Sequence, residues 1–256
     1  MTKDDKKKIF CLLKNAADSL CGYSSPDFPE QTPDFEDDVF DNNTDVNFCN
    51  MNFAKTEAEN TNKTHENSTI SNINKKIFEC KRCQLCSNRH NVVPGMGVEN
   101  PLVLVIGEGP GEEEDKQGKP FVGPAGQLLD KMLAAIGLSR DKNCYIANIV
   151  KCRPPANRNP LPEEADACRP FLDAQIAALK PKAILCAGSV AVKNLLHSND
   201  GVMKLHGQIL NYNGIPVLTT YHPSALLRAP ENKRVAWEDL KVFRGLLNNI
   251  SPDYEK

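Results

Sequence analysis

The sequence predicts an α/β domain of three layers, α/β/α, built on a central four-stranded parallel sheet. Three observations carry the prediction. Four short apolar runs are rich in strand-forming residues; stretches with helical periodicity separate them; and the polar residues suited to chemistry fall just after the runs. In such folds ligands sit at the carboxyl ends of the strands.

Residues 5–22 come first, with Ile9, Leu12, Leu13, Ala16, Ala17 and Leu20 at the spacing of a short amphipathic helix. From Gly22 to about Asn74 the text turns acidic and then rich in Asn, Thr and Ser, the composition of a disordered linker. A globular composition begins after Lys75. Strands are predicted at Leu102 to Gly107, Cys144 to Val150, Ala183 to Gly188 and Pro216 to Thr220. Helices are predicted at Ala125 to Ile136, Pro162 to Leu179, Val190 to Leu196 and Pro230 to Asn249. The expected organisation is therefore an extension over 1–75, a domain over 76–250 and a tail over 251–256.

The 256 residues are 40% hydrophobic, enough for a substantial core. The longest apolar runs fall far short of the roughly 20 residues that cross a bilayer, and the lysine-rich start lacks the long apolar stretch of a secretory signal. A cytoplasmic protein with no membrane partner is expected. Ten cysteines then read as thiols and metal ligands and not as a disulfide framework. Residues 1–75 hold 8 Lys and Arg against 14 Asp and Glu, net −6, whereas 76–256 hold 23 against 19, net +4. The second balance suits a polyanionic partner without singling one out.

Cys80 and Cys83 form a C-x-x-C pair, and Cys152 and Cys168 lie far downstream, so the four can meet only in a folded domain. Spacing alone admits zinc or iron equally. The first strand runs into Gly107-Glu108-Gly109-Pro110-Gly111-Glu112-Glu113-Glu114-Asp115, where glycine lets a ligand approach the backbone and carboxylates can orient water. Asn148 stands in an apolar strand, where an amide pairs poorly unless something uses it. His222 follows the fourth strand in His222-Pro223-Ser224-Ala225-Leu226-Leu227-Arg228.

Taken in order, these segments, together with Gly118-Lys119-Pro120-Phe121-Val122-Gly123 and Asn148-Ile149-Val150-Lys151-Cys152-Arg153-Pro154-Pro155-Ala156-Asn157-Arg158, resemble a family 4 (type 4) uracil-DNA glycosylase, the iron–sulfur branch of the uracil-DNA glycosylase superfamily. The resemblance spans about Cys80 to Leu247. It implies the uracil-DNA glycosylase-like fold and a monofunctional DNA-repair hydrolase that flips uracil from DNA and releases it, leaving an abasic site. Two departures stand out. Gly109 occupies a position where the family usually has alanine, a small-for-small change, and residues 1–75 have no counterpart in short members. A related branch that bonds covalently to uracil carries a basic, His-containing insertion, and here Asp115-Lys116-Gln117-Gly118 runs straight on.

What the resemblance implies for individual residues follows. Phe121 stacks on the extruded base, and Asn148 accepts from uracil N3–H while donating to O4, which cytosine would frustrate. His222 donates to O2 as negative charge develops there. Glu108 is the first choice to activate water, Asp115 the second choice for stabilising sugar charge, and Glu114 lies against uracil, with the backbone of Gly109, Pro110 and Gly111 adding contacts. Leu226 and Leu227 wedge into the vacated stack; Arg228, Arg153 and Arg158 contact phosphate. Cys80, Cys83, Cys152 and Cys168 match the ligand set of a [4Fe-4S] cluster, with zinc the lesser candidate. The expected partner is uracil-containing DNA, bound by a monomer; whatever the N-terminal helix meets is unknown. The rival reading is a non-catalytic iron–sulfur DNA-binding module, similar to domains attached to phage-type DNA polymerases.

Overall fold

The computed structural model describes residues 70–255, so the amphipathic helix at 5–22 and most of the proposed linker lie outside the described residues. The described chain opens on α1 (Ile70–Phe78), which buries Ile70 and Ile77. Five residues assigned to the linker from their Asn/Ser-rich composition therefore belong to a packed helix: a pair of isoleucines seven apart is enough to seat two turns.

After a 3-10 turn at Gln84–Ser87 come β1 (Met96–Gly97), β2 (Val103–Gly107), α2 (Glu112–Gln117), α3 (Pro124–Ala134) and β3 (Cys144–Asn148). There follow α4 (Pro162–Leu179), β4 (Ala183–Ala187), α5 (Ser189–Leu196), α6 (Val202–Leu205), β5 (Ile209–Tyr212), β6 (Ile215–Thr220), α7 (Pro223–Arg228) and α8 (Lys233–Ile250). The predicted four parallel strands are present, in the order β3-β2-β4-β6. The sheet has six strands because β1 joins β3 and β5 joins β6, both antiparallel, one at each edge. β5 and β6 form a hairpin closed by Asn213-Gly214, both at positive φ (50° and 86°), the two-residue turn whose twist suits paired strands.

Side chains of the central strands alternate between two cores. Leu104, Ile106, Tyr145, Ala147 and Ile184 pack on one face with α1, α4 and α5. Val103, Val105, Ile146, Leu185 and Leu218 pack on the other with α3 and α8. β2, β3 and β4 are buried along their whole length, as strands covered on both faces must be. Among the described residues no helix is long and apolar enough to cross a membrane.

β2 is flanked by β3 on one side and β4 on the other, so chain direction around the sheet reverses at β2. The loops leaving β2, β3 and β6 open onto that point, and the candidate site lies there.

Candidate active site

A cleft of about 230 Å³ opens at these strand ends, lined by Glu108, Gly109, Pro110, Gly111 and Glu114 after β2. Phe121 and Ala125 border it from before and within α3, Asn148, Pro154, Asn157 and Arg158 from in and after β3, and His222, Ser224 and Arg228 from after β6. It falls below the roughly 300–1,000 Å³ of sites for drug-sized ligands and suits a single base.

Phe121 is held in an unusual backbone conformation. Its φ is +53°, a left-handed value that costs a bulky residue on the order of 1–3 kcal/mol and persists only when neighbours enforce it. They do so from both sides. Arg140 donates to the carbonyls of Pro120 (2.9 Å) and Phe121 (3.0 Å) while pairing with Asp130 at 2.7 Å. Glu114 accepts from the amides of Val122 and Gly123 through Oε1, each at 2.9 Å, and from Gly111 through Oε2 at 3.1 Å. One carboxylate thus ties the acidic loop to the aromatic loop. Gly126 is required beneath them, since a Cβ there would stand 1.9 Å from the Phe121 oxygen.

Asn148 ends β3, about 1% exposed, and its Oδ1 is buried with no hydrogen-bond partner. An orphaned amide oxygen in a protein interior costs about 1–3 kcal/mol, and here it borders an open cleft. Gly107 makes room for it: a Cβ at that position would lie 2.4 Å from Asn148 Oδ1 and 2.6 Å from Phe121 Cζ.

His222 caps α7. Its Nδ1 accepts from the Ser224 amide at 3.1 Å and lies 2.8 Å from the Ser224 hydroxyl. With that lone pair taken, a neutral ring carries its proton on Nε2. Burial, helped by the Arg228 charge and opposed by Glu114, pushes the His222 pKa down to about 4, so the ring is neutral at pH 7. Phe121 and His222 sit with ring centroids 5.6 Å apart. Burial raises the Glu108 carboxyl above its ordinary range, with the Arg228 charge pulling the other way. The cleft therefore presents an amide with a free acceptor, a neutral N–H donor, a carboxylate of raised basicity and an aromatic face.

Several residues singled out from the sequence are placed elsewhere. Asp115 does not line the cleft: it is about 1% exposed and accepts from the His90 and Asn91 amides (3.0 and 3.3 Å) and from His90 Nδ1 (2.7 Å). Helical spacing turns it away from Glu114, toward the segment that follows the first cysteines. Leu226 is about 1% exposed and packs with Val202, Tyr221 and Ala236, which leaves Leu227, 44% exposed, as the residue free to wedge. Arg153 does not line the cleft and bonds to Asn157 (2.8 Å) and Glu112 (3.4 Å). Arg158 lines it while gripping Glu164 with two bonds of 2.8 and 2.7 Å, and Glu164 in turn caps α4 by accepting from the Leu161 amide. Gly107, Asn157 and Ser224 stand in the sequence motifs but were given no role of their own there. Only Ser224 left a signal, since a serine two residues after a histidine at a helix start can lock the imidazole.

Gly109 also has a local reason. A Cβ there would press on Val150 Cγ2 at 2.8 Å, so the glycine goes with this valine.

The four cysteines gather on the other side of β3. Cys80 and Cys83, half-buried, and Cys152 and Cys168, buried, line one small cavity with Ile77, Val92 and Phe171, and none is in a disulfide. Cys86 lines it too. Arg89 donates to Cys152 Sγ at 3.0 Å and to the Cys80 carbonyl at 3.0 Å. Burial raises the thiols of Cys83 and Cys168 and takes Cys152 up to about 11, so any metal they bind must displace their protons. Among the described residues no three Cys, His or acidic side chains converge tightly enough to hold a single ion.

The family model of the uracil DNA glycosylase superfamily matches residues 94–241, more than half of the chain. A type-4 uracil-DNA glycosylase of Thermotoga maritima is 42% identical over 179 residues, 68% of this chain and 93% of that protein. One of Sulfurisphaera tokodaii is 40% identical over 187 residues, 70% of this chain and 84% of that protein. One of Archaeoglobus fulgidus is 36% identical over 192 residues, 72% of this chain and 96% of that protein. The chain belongs to the type-4 uracil-DNA glycosylases. The matched span of this type-4 glycosylase contains every residue that lines the cleft.

Proposed function

We propose that the chain removes uracil from DNA, taking the nucleotide out of the stack and hydrolysing the bond between C1′ and N1 to leave an abasic site. One observation carries the reading: the unpartnered Asn148 Oδ1, buried at the wall of a cleft shared with Phe121, His222 and Glu108. Uracil supplies a donor at N3 for that oxygen and an acceptor at O4 for the same amide's N–H. Cytosine reverses both groups and leaves two like pairs facing each other.

Phe121 offers its ring to the everted base, and its backbone is already locked. As the glycosidic bond lengthens, charge gathers on uracil O2, and the neutral His222 donates its Nε2 proton in a hydrogen bond there. Glu108 accepts from a water and directs it to C1′ as the sugar becomes cationic; its raised basicity suits that task. No lysine is assigned as nucleophile, so the strand is left intact. Leu227 fills the vacated stack, and Arg228 and Arg158 meet phosphates on the rim.

Cys80, Cys83, Cys152 and Cys168, four of the five thiols around one cavity flanked by Arg89, suit a [4Fe-4S] cluster better than one zinc ion, which needs four sulfurs at about 2.3 Å from a single centre. When bound, the cluster ties the segment before β1 to the loop after β3 and to α4. The protein acts as a monomer in the cytoplasm.

A non-catalytic DNA-binding module has little use for a neutral histidine, a basic carboxylate and an orphaned amide in one cleft. Incubation with a uracil-containing oligonucleotide, followed by alkali to break abasic sites, separates the two readings. Uracil release that disappears in His222→Ala supports the enzyme; strand breaks without alkali, or no release at all, overturn the mechanism as written.

A further inference from the structure

Lys151 is among the largest fully buried side chains of the described residues. Its ammonium donates to the main-chain oxygen of Asn148 at 2.8 Å and to Gln175 Oε1 at 2.7 Å. Gln175, also fully buried, passes the chain on by donating from Nε2 to the Pro94 carbonyl at 2.8 Å. Both groups that accept from the ammonium are neutral. An ammonium buried without an anion costs several kcal/mol, so a lysine in this place calls for a counter-charge.

The cysteine cavity, which Lys151 itself lines, can supply it, because metal ligation would make the Cys168 sulfur a thiolate. Lys151 and Cys168 line that cavity together, and a negative sulfur there would favour the ammonium. Three cations therefore line the cysteine cavity, Arg82, Arg89 and Lys151, with Arg89 bonded to Cys152. Of these, Lys151 alone also bonds to the residue whose amide borders the cleft.

We infer that Lys151 is a positioning residue that couples the negative charge held by the four cysteines to the affinity of the cleft for uracil. The inference rests on the proposed reading of Asn148 and on a cluster at the four thiols. The ammonium fixes the last carbonyl of β3, and the Asn148 side chain springs from the same residue, so the direction of its amide follows the carbonyl. With the cysteines ligated as thiolates, the ammonium stays between its counter-charge and that carbonyl. A change in the charge of the cavity changes the pull on the ammonium and, through it, the aim of the amide.

The test measures binding of free uracil by calorimetry to the iron-loaded protein, wild type and Lys151→Met, with iron content and visible absorbance recorded for each. Methionine is close in length and needs no counter-charge. The expected result is a variant that retains iron and binds uracil at least tenfold more weakly, with Lys151→Arg recovering part of the loss. A second measurement needs no variant: potentiometric titration of the wild-type cluster with and without saturating uracil. Linkage is reciprocal, so a threefold difference in uracil affinity between the two charge states appears as a shift of about 28 mV in a one-electron midpoint. The shift vanishes in Lys151→Met. Uracil affinity in Lys151→Met within twofold of wild type, or a wild-type midpoint that uracil leaves in place, overturns the inference. The midpoint decides the matter if the variant does not fold. A wild-type protein that binds no uracil at all refutes the reading of the cleft itself, and the coupling with it.

Discussion

Adding one methyl group at Gly107 tests the cleft at its narrowest point. In Gly107→Ala the new Cβ stands 2.4 Å from Asn148 Oδ1 and 2.6 Å from Phe121 Cζ, where ordinary contacts are near 3.4 Å or more. Both groups must retreat by about 1 Å, or the strand must shift. Phe121 has little freedom, because its carbonyl is held by Arg140 and the next two amides by Glu114. Overpacking of this kind costs about 1–3 kcal/mol. For a domain of this size that lowers the melting temperature by a few degrees, at about 2–4 °C per kcal/mol. A displacement of about 1 Å at the reacting centre costs on the order of 100-fold in rate. The expected signature is thus a large kinetic loss with a small thermal one. Single-turnover uracil release from a labelled oligonucleotide gives the first quantity, and circular dichroism melting gives the second. A variant within threefold of wild-type rate, with unchanged melting, would show that Asn148 and Phe121 do not bound the reactive slot.

Four more outcomes are expected. Asn148→Asp swaps a donor for an acceptor toward O4, and the preference for uracil over cytosine falls by at least tenfold, from about 1–3 kcal/mol per unmade bond; competition between uracil- and cytosine-containing duplexes reads the ratio. Because burial raises the Glu108 carboxyl, kcat/KM climbs with pH through a value above the ordinary carboxylate range, and Glu108→Gln removes that limb. The depressed pKa of His222, about 4 against 6.5 unfolded, means the unfolded chain takes up a proton first as pH falls, so stability drops between pH 6.5 and 4. Denaturant titrations of wild type and His222→Ala across that window show the difference, or its absence removes the burial argument. Leu226→Ala costs about 2–5 kcal/mol in stability, whereas Leu227→Ala melts near wild type and loses activity chiefly on duplex DNA.

Much of the core was legible because its signals are strong. The four buried strands are nearly continuous apolar runs, and α4 carries proline at its first position and a capping glutamate three residues after Leu161, so Pro162 to Leu179 was marked at its start. The edge strands were not read. β1 is two residues long and held by backbone pairing beside Gly97, whose Cβ would stand 2.2 Å from the Cys144 oxygen, and nothing in its composition says strand. β5 could have been found from the Asn213-Gly214 pair between short alternating runs. At the cleft, residue type and order were visible in the sequence, but direction was not. Asp115 follows Glu114 by one residue and faces another way, and Leu226 and Leu227 differ by one step around a helix between core and solvent. The left-handed backbone of Phe121 had no sequence trace at all, because no glycine or asparagine marks it.

That backbone also decides which molecule moves. Arg140 and Glu114 fasten the aromatic ring's peptide before any nucleic acid arrives, so this wall of the receptacle is set in advance of its guest. The travel between ring and base then falls to the DNA. Lesions in loosely stacked neighbourhoods are then excised sooner than those in tight ones, and the ranking among flanking sequences is written in the helix and not in the protein.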